Sequence, residues 1–339
     1  MSRITAERSI DSLKSAKVFL DHIGYYDCIS EDGYVKNIVL NAYKKEKLKK
    51  GKKTEEPREY ELFDFCAKKL FLAEKELSKL GSKTTLRDDN ARKKKYRLNS
   101  DRDHLKDTII KECMSLLRED DETRIKLGVG GIRPHSLKTE PSFEGRAIIC
   151  IGGPASGKSS FCRSIADELN ALTFDPDIFS RKIPEYGSSC VGASLVHHEA
   201  KSMVNKLIEN ISPSKNNVVL PTIGKKYDEL KEQMRSLSFD KENKPSYKVS
   251  VVLIRLDKCK AACRAFTRYI ETGRYVPIPY VLDTCGHESA VSFYRLAAED
   301  RNGSFLCINN DSDKPTIEFE QNCEEIKNIL INSNEVSQQ

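Results

Sequence analysis

Ala147-Ile148-Ile149-Cys150-Ile151-Gly152-Gly153-Pro154-Ala155-Ser156-Gly157-Lys158-Ser159-Ser160 is the stretch from which the rest of the 339-residue chain is read. A short apolar run enters a glycine-rich turn, and the amphipathic segment Ser160-Phe161-Cys162-Arg163-Ser164-Ile165-Ala166 leaves it. The turn Gly152–Ser159 satisfies G-x-x-x-x-G-K-[ST], the phosphate-binding loop. Its four fixed positions recur by chance in roughly one per cent of chains this long, and the strand-before, helix-after context makes coincidence rarer still. Glycines let successive N–H groups curl round a phosphate, and the following helix aims its unpaired N–H groups at the same anion. Lys158 would reach the β- and γ-phosphates, and the Ser159 hydroxyl would ligate Mg²⁺. The expectation is a nucleoside triphosphate held by Gly152 through Ser160.

Length allows two domains, or one large α/β domain with an extension. Charged residues make up 32% of the chain and hydrophobic ones 38%, enough for a sizeable core under a well-solvated surface. The net charge of +6 is uneven: residues 1–140 hold 32 basic against 25 acidic side chains, so the excess lies there. Eleven cysteines without a repeating frame fit reduced thiols in a cytosol rather than a secreted disulfide scaffold. Cys259, Cys263, Cys285 and His287 could together offer zinc ligands, but without C-x-x-C spacing core packing is favoured. No signal peptide or membrane-spanning run is apparent, so a cytoplasmic location is expected.

Residues 1–125 read as a basic, mostly helical module. Leu62, Phe63, Phe65, Cys66, Leu70, Leu72, Ala73, Leu77 and Leu80 recur near helical spacing up to Gly81, and Leu105 to Leu117 repeat the pattern. The runs Lys44–Lys53 and Arg92–Arg97 are expected to be exposed, as a solvated face or as an anion-binding patch. Gly128, Gly130, Gly131, Pro134 and Pro141 mark residues 126–146 as a linker or entrance loop. Residues 147–330 then alternate strands (Ala147–Ile151, Leu172–Phe174, Val218–Leu220, Val249–Ile254, Phe305–Ile308) with helices (near Ser159–Asn170, Ala193–Asn210, Tyr227–Leu237, Lys258–Thr272, Glu288–Asp300), and 331–339 are expected as a disordered tail. The fold class implied is α/β, a mostly parallel sheet with helices on both faces, preceded by the helical region.

Ligands of such sheets sit beyond the carboxyl ends of the strands, so the residues after each strand carry the chemistry. Asp175-Pro176-Asp177 sets two carboxylates on a rigid turn: one could hold Mg²⁺, the other accept a proton from a substrate hydroxyl. The alternative is an N-cap. Thr222 and Lys225 could touch substrate or simply form a turn. Arg264, Arg268 and Arg274 gather around the end of one helix, either as ordinary dipole partners or as a lid over the triphosphate. Asn309 is placed to meet a nucleobase, or to make a turn.

Gly152–Ser159, Asp175-Pro176-Asp177 with Arg181, Pro184 and Tyr186, then Arg268 and Thr272-Gly273-Arg274-Tyr275-Val276-Pro277, together resemble the zeta toxin family of P-loop kinases, over about Ala147–Asn310. The resemblance implies a kinase-like fold and transfer of phosphate from ATP or GTP to a sugar hydroxyl: of UDP-N-acetylglucosamine in the founding toxins, of NAD in related plant-pathogen effectors. It implies Lys158 on the transferred phosphate, Ser159 on the metal, Asp177 as general base, and Arg268 and Arg274 as transition-state clamps. Where the founding toxins carry an acidic residue after the middle strand, this chain has Pro221-Thr222.

The function expected is therefore an ATP-dependent (or GTP-dependent) kinase of a nucleotide-like small molecule acting as a toxin or effector, with Mg²⁺ as cofactor. The helical module is a place for a protein partner or antitoxin. Two other readings stand beside it: a polynucleotide kinase holding nucleic acid on the basic helices, which is less favoured, and a non-catalytic nucleotide-binding regulator, which would need neither Asp177 nor the arginines.

Overall fold

Alternation along the run 147–151 sets the architecture. Ala147, Ile149 and Ile151 enter one apolar core, whereas Ile148 and Cys150 enter another on the opposite face. Side chains of a strand alternate, so a run that is apolar throughout must be covered on both sides. The computed structural model describes residues 10–51, 56–135, 141–211, 214–239, 242, 244–284, 287–333 and 335–337.

Before that strand come helices α1 (Leu13–His22), α2 (Tyr25–Glu31), α3 (Gly33–Lys49), α4 (Glu59–Leu80), α5 (Asn99–Ser115) and α6 (Glu122–Lys126). The rest alternates: β1 (Arg146–Ile151), α7 (Lys158–Glu168), β2 (Leu172–Thr173), α8 (Pro176–Ser180), α9 (Gly192–Ile211), β3 (Val218–Thr222), α10 (Tyr227–Ser238), β4 (Lys248–Arg255), α11 (Lys258–Thr272), α12 (Ile278–Thr284), α13 (Glu288–Glu299), β5 (Ser304–Asn309), β6 (Thr316–Gln321) and α14 (Glu324–Asn332). The strands form one sheet in the order β2-β3-β1-β4-β5-β6. The first five are parallel, and β6 runs antiparallel to β5. Neighbours of β1 connect to opposite sides, which opens a crevice beyond its carboxyl end.

Two differences from the expected strands have physical causes. The strand β3 continues through Pro221, opposite Cys150. Val219 turns its carbonyl to the β2 side, where it accepts from Phe174 N, so residue 221 faces that side too. By then β2 has ended, and a missing N–H costs no ladder bond. The edge strand β6 was absent from the expected set because only Ile317 and Phe319 alternate with its polar residues.

One face of the sheet is covered by α5, α9, α10 and α13 through Ile109, Val196, Met203, Leu230 and Phe293. The other is covered by α7 and α14 through Phe161, Ile165, Ile326 and Leu330, with Val336 buried beside them. A third core lies off the sheet, where α1–α4 pack against α11 and α12 around Tyr25, Leu62, Leu70, Ala262, Phe266 and Tyr275. Polar ties span it: the Tyr25 and Thr267 hydroxyls share a hydrogen bond of 3.1 Å, Cys263 Sγ donates to Ile23 O at 3.1 Å, and Tyr275 donates its hydroxyl to Glu74. The helix carrying the arginines thus rests on the N-terminal helices.

Arg92, expected in an exposed basic run, is buried. Its guanidinium donates to Thr85 O at 2.7 Å and Asn99 Oδ1 at 2.8 Å, so it holds the chain rather than a ligand. Lys93, Lys94 and Lys95 are exposed as expected. In the other run Lys50 pairs with Glu46, while Lys52 and Lys53 lie outside the described residues. Among the described residues no helix is long and apolar enough to cross a membrane.

Candidate active site

The turn between β1 and α7 needs its glycines at both ends. Gly152 has φ +151°, and a Cβ there would meet Ile254 O at 2.5 Å; Gly157 has φ +92°, and its Cβ would meet Asn310 Nδ2 at 2.5 Å. Either side chain would push the loop off the strands that hold it. Asn310, one residue past β5, donates to Ser156 O at 2.8 Å and so ties the last parallel strand to the loop. Asn309, the residue expected to meet a base, instead accepts from Asp311 N at 3.0 Å in a tight turn beside it. Lys158 Nζ donates to Gly152 O at 2.7 Å and Gly153 O at 2.6 Å, which lays the ammonium along the loop. Ser156 is buried, and its Oγ has no hydrogen-bond partner among the described residues. Ser159 is exposed at the helix start, and Ser160 donates its hydroxyl to Glu335 at 2.8 Å.

On the same edge of the sheet stands the second part of the site. Asp175 accepts from Asp177 N at 2.8 Å and caps α8, as the alternative reading had it, with Pro176 in the first helical position. That cap turns Asp177 toward α11. Gly273 ends α11 in the left-handed conformation, and the chain reverses so that Arg274 Nη2 donates to Asp177 Oδ1 at 2.8 Å. The pair sits in a recess, with side chains 19% and 33% exposed respectively. Tyr186 lies 5.9 Å from the Arg274 guanidinium, ring toward cation. Arg274 Nε is buried without a partner among the described residues.

Electrostatics divide the two carboxylates. Burial, reinforced by the Asp177 charge, pushes the Asp175 carboxyl up to about 6. Burial also pushes at Asp177, but Arg274, then Arg181 and Arg268, outweigh it and hold that carboxyl well below its usual range. Desolvation and the nearby Arg274 lower the Arg268 guanidinium from its ordinary value, although the residue as a whole is exposed. His197, on the first turns of α9, is open-faced yet partly desolvated, and that holds its imidazole below the ordinary value while Asp177 pulls it up.

The structure therefore gathers Asp175, Asp177, Arg268 and Arg274 together. Thr222 ends β3 opposite Ile151, at the mouth of the phosphate loop. Lys225 lies over the Tyr280 ring at 5.4 Å, and Arg264 is on the exposed face of α11 a turn before Arg268. Sequence reasoning did not assign a site role to Arg181, Tyr186, His197 or Asn310. The first two flank Pro184 in the stretch after the aspartates, a signal that was visible; His197 had none, since it reaches the turn only through the packing of α9. Among the described residues no three His, Cys, Asp or Glu side chains cluster as metal ligands, and Cys285 of the proposed zinc set lies outside those residues.

The family model described as Zeta toxin matches residues 136–314. The chain is also similar to a solved structure from the PezAT chromosomal toxin–antitoxin system of Streptococcus pneumoniae, at 17% identity and a TM-score of 0.45 over 64% of this chain and 80% of that one. A chain of the AvrRxo1-ORF1:AvrRxo1-ORF2 complex with sulphate ions is 14% identical, with a TM-score of 0.46 over 70% of this chain and 74% of that one. A putative kinase from Chloroflexus aurantiacus is 16% identical, with a TM-score of 0.36 over 50% of this chain and 87% of that one. No curated protein matches the chain significantly.

Proposed function

Because the chain belongs to the zeta toxin family, we propose that it transfers the γ-phosphate of ATP, or of GTP, to a sugar hydroxyl of a nucleotide-like small molecule such as a nucleotide sugar or NAD, and acts thereby as a toxin or effector. The observation that carries this reading is the Asp177–Arg274 pair standing on the same sheet edge as the Lys158 loop. A nucleotide-binding regulator needs the loop but not the pair. Phosphoryl transfer asks the protein chiefly to position and to neutralise charge. The N–H groups of the loop and Lys158 would hold the donor phosphates. Arg268 and Arg274 would meet charge developing on the transferred group.

Asp177 would orient the acceptor hydroxyl and take its proton. A carboxylate held ionised by arginines is a weak base. It suffices here, because in a loose transition state the hydroxyl becomes acidic only as its bond to phosphorus forms. Three arginines around one firmly ionised carboxylate leave the recess cationic, which suits an acceptor bearing phosphates of its own. Mg²⁺ fits the donor set: it is held by one or two protein oxygens plus substrate phosphates, and Ser159 and Asp175 would supply these while the ion neutralises phosphate charge. The N-terminal helices, proposed as a module, would present their outer faces to a protein partner such as an antitoxin.

The test is a metabolite extract incubated with ATP and the protein, scored for masses raised by one phosphate. Such a product is expected with the wild type and not with Lys158→Ala. Equal products from a folded Lys158→Ala protein would remove the reading.

A further inference from the structure

A fully buried ionic cluster that the proposed chemistry does not use joins α5, α9 and the segment just before Tyr186. Arg102 of α5 is 1% exposed. Its Nη1 and Nη2 donate to Glu185 at 3.1 and 3.0 Å, and its Nε and Nη2 donate to Glu199 at 2.7 and 2.6 Å. The remaining carboxylate capacity is met from the N-terminal region too: Lys93 N donates to Glu185 Oε1 at 2.6 Å, and Thr85 Oγ1 to Glu199 Oε2 at 2.5 Å. Every carboxylate oxygen in the cluster thus accepts a bond. Burying three charges is expensive even when they are well paired, and an apolar packing of equal volume is often at least as stable. Stability alone is a poor reason for the cluster.

Its position supplies another. Glu185 is followed directly by Tyr186, whose ring backs the Arg274 guanidinium, and Arg274 in turn holds Asp177. Glu199 lies two residues beyond His197 on α9. The fork of Arg102 therefore fixes two elements at once, the Tyr186 segment and α9, and both border Asp177. On the function proposed above, we infer that Arg102, by clamping Glu185 and Glu199, is a positioning residue for phosphoryl transfer: it holds Tyr186 against Arg274 and so sets the pairing of Arg274 with Asp177. Thr85, Lys93 and Arg102 of the N-terminal region then support the site by holding other residues in place.

The test uses the full chain and two conservative variants, Glu185→Gln and Arg102→Lys, so that a folding failure of one leaves the other. If the clamp positions Arg274, loosening it shifts the Arg274 Nε–H resonance, read by ¹⁵N NMR with Arg274→Lys as the assignment control. Turnover of Mg·ATP with a metabolite extract should fall roughly 10²-fold in kcat, as for a misplacement of about 1 Å, with KM for ATP unchanged. A variant that melts earlier yet keeps the wild-type Arg274 resonance and kcat would reduce the cluster to a structural one and overturn the inference. A wild type without turnover, whose Arg274 resonance still moves in Glu185→Gln, would keep the positioning and remove the phosphotransferase reading.

Discussion

Asp175→Asn should make the ligand-free protein more stable at neutral pH. The amide keeps the acceptor oxygen for Asp177 N, and asparagine caps helices as well as aspartate does. What it removes is a charge that the fold disfavours. Raising a carboxyl from its ordinary 3.8 to about 6 costs the ionised form up to about 3 kcal/mol. Partial solvation of the turn and adjustment around the amide take up some of that, so a gain of about 1–3 kcal/mol is expected, or about 1–4 °C in Tm for a chain this long. The sign with pH is distinctive. A group with a raised folded pKa contributes stability below its unfolded value, and that contribution is lost as pH rises through the folded value. The wild type therefore falls behind the variant between about pH 4 and 6, and the gap is constant above. Thermal melts from pH 7.5 downward read it directly. A lower Tm for Asp175→Asn at pH 7.5 would show that the arginines favour the ionised Asp175, and a gain that persists unchanged at pH 4 would show that the charge is not its cause.

Gly157→Ala should cost nucleotide affinity more than stability, because its Cβ would displace Asn310 from the loop; ADP titration calorimetry against the melting temperature separates the two. Asn310→Ala loses one hydrogen bond of about 1 kcal/mol, so ADP binding should weaken roughly fivefold with the loop otherwise intact. Phe266→Ala, fully buried between α11 and the N-terminal helices, should cost about 3–5 kcal/mol in chemical denaturation although it lies outside the sheet.

Apolar strands bracketed by helical periodicity made β1, β3, β4 and β5 readable, and the phosphate loop marked which strand is central. What escaped the sequence depends on contacts between distant segments. The pattern of β6 offers two apolar residues, and only pairing with β5 makes it a strand. The apolar stripe of α11 reads as a sheet-covering face, yet it is buried against α1–α4, because periodicity tells that a face is covered and not by what. At the site, local geometry decided between Asn309 and Asn310: both follow the strand, but the first closes a turn on Asp311 and the second reaches Ser156. The cap at Asp175 was legible from D-P-D alone. The resemblance brought Asp177 and Arg274 into one expected site, but their pairing across 97 residues had no signal in the sequence.

The most direct test of the account is phosphate transfer by Asp177→Asn. With acceptor-containing metabolite extract and radiolabelled ATP, the variant should bind Mg·ATP as the wild type does while kcat falls roughly 10²–10⁴-fold, the range for losing a positioned acid or base. Label transferred by a folded Asp177→Asn protein at the wild-type rate would contradict the account at its centre.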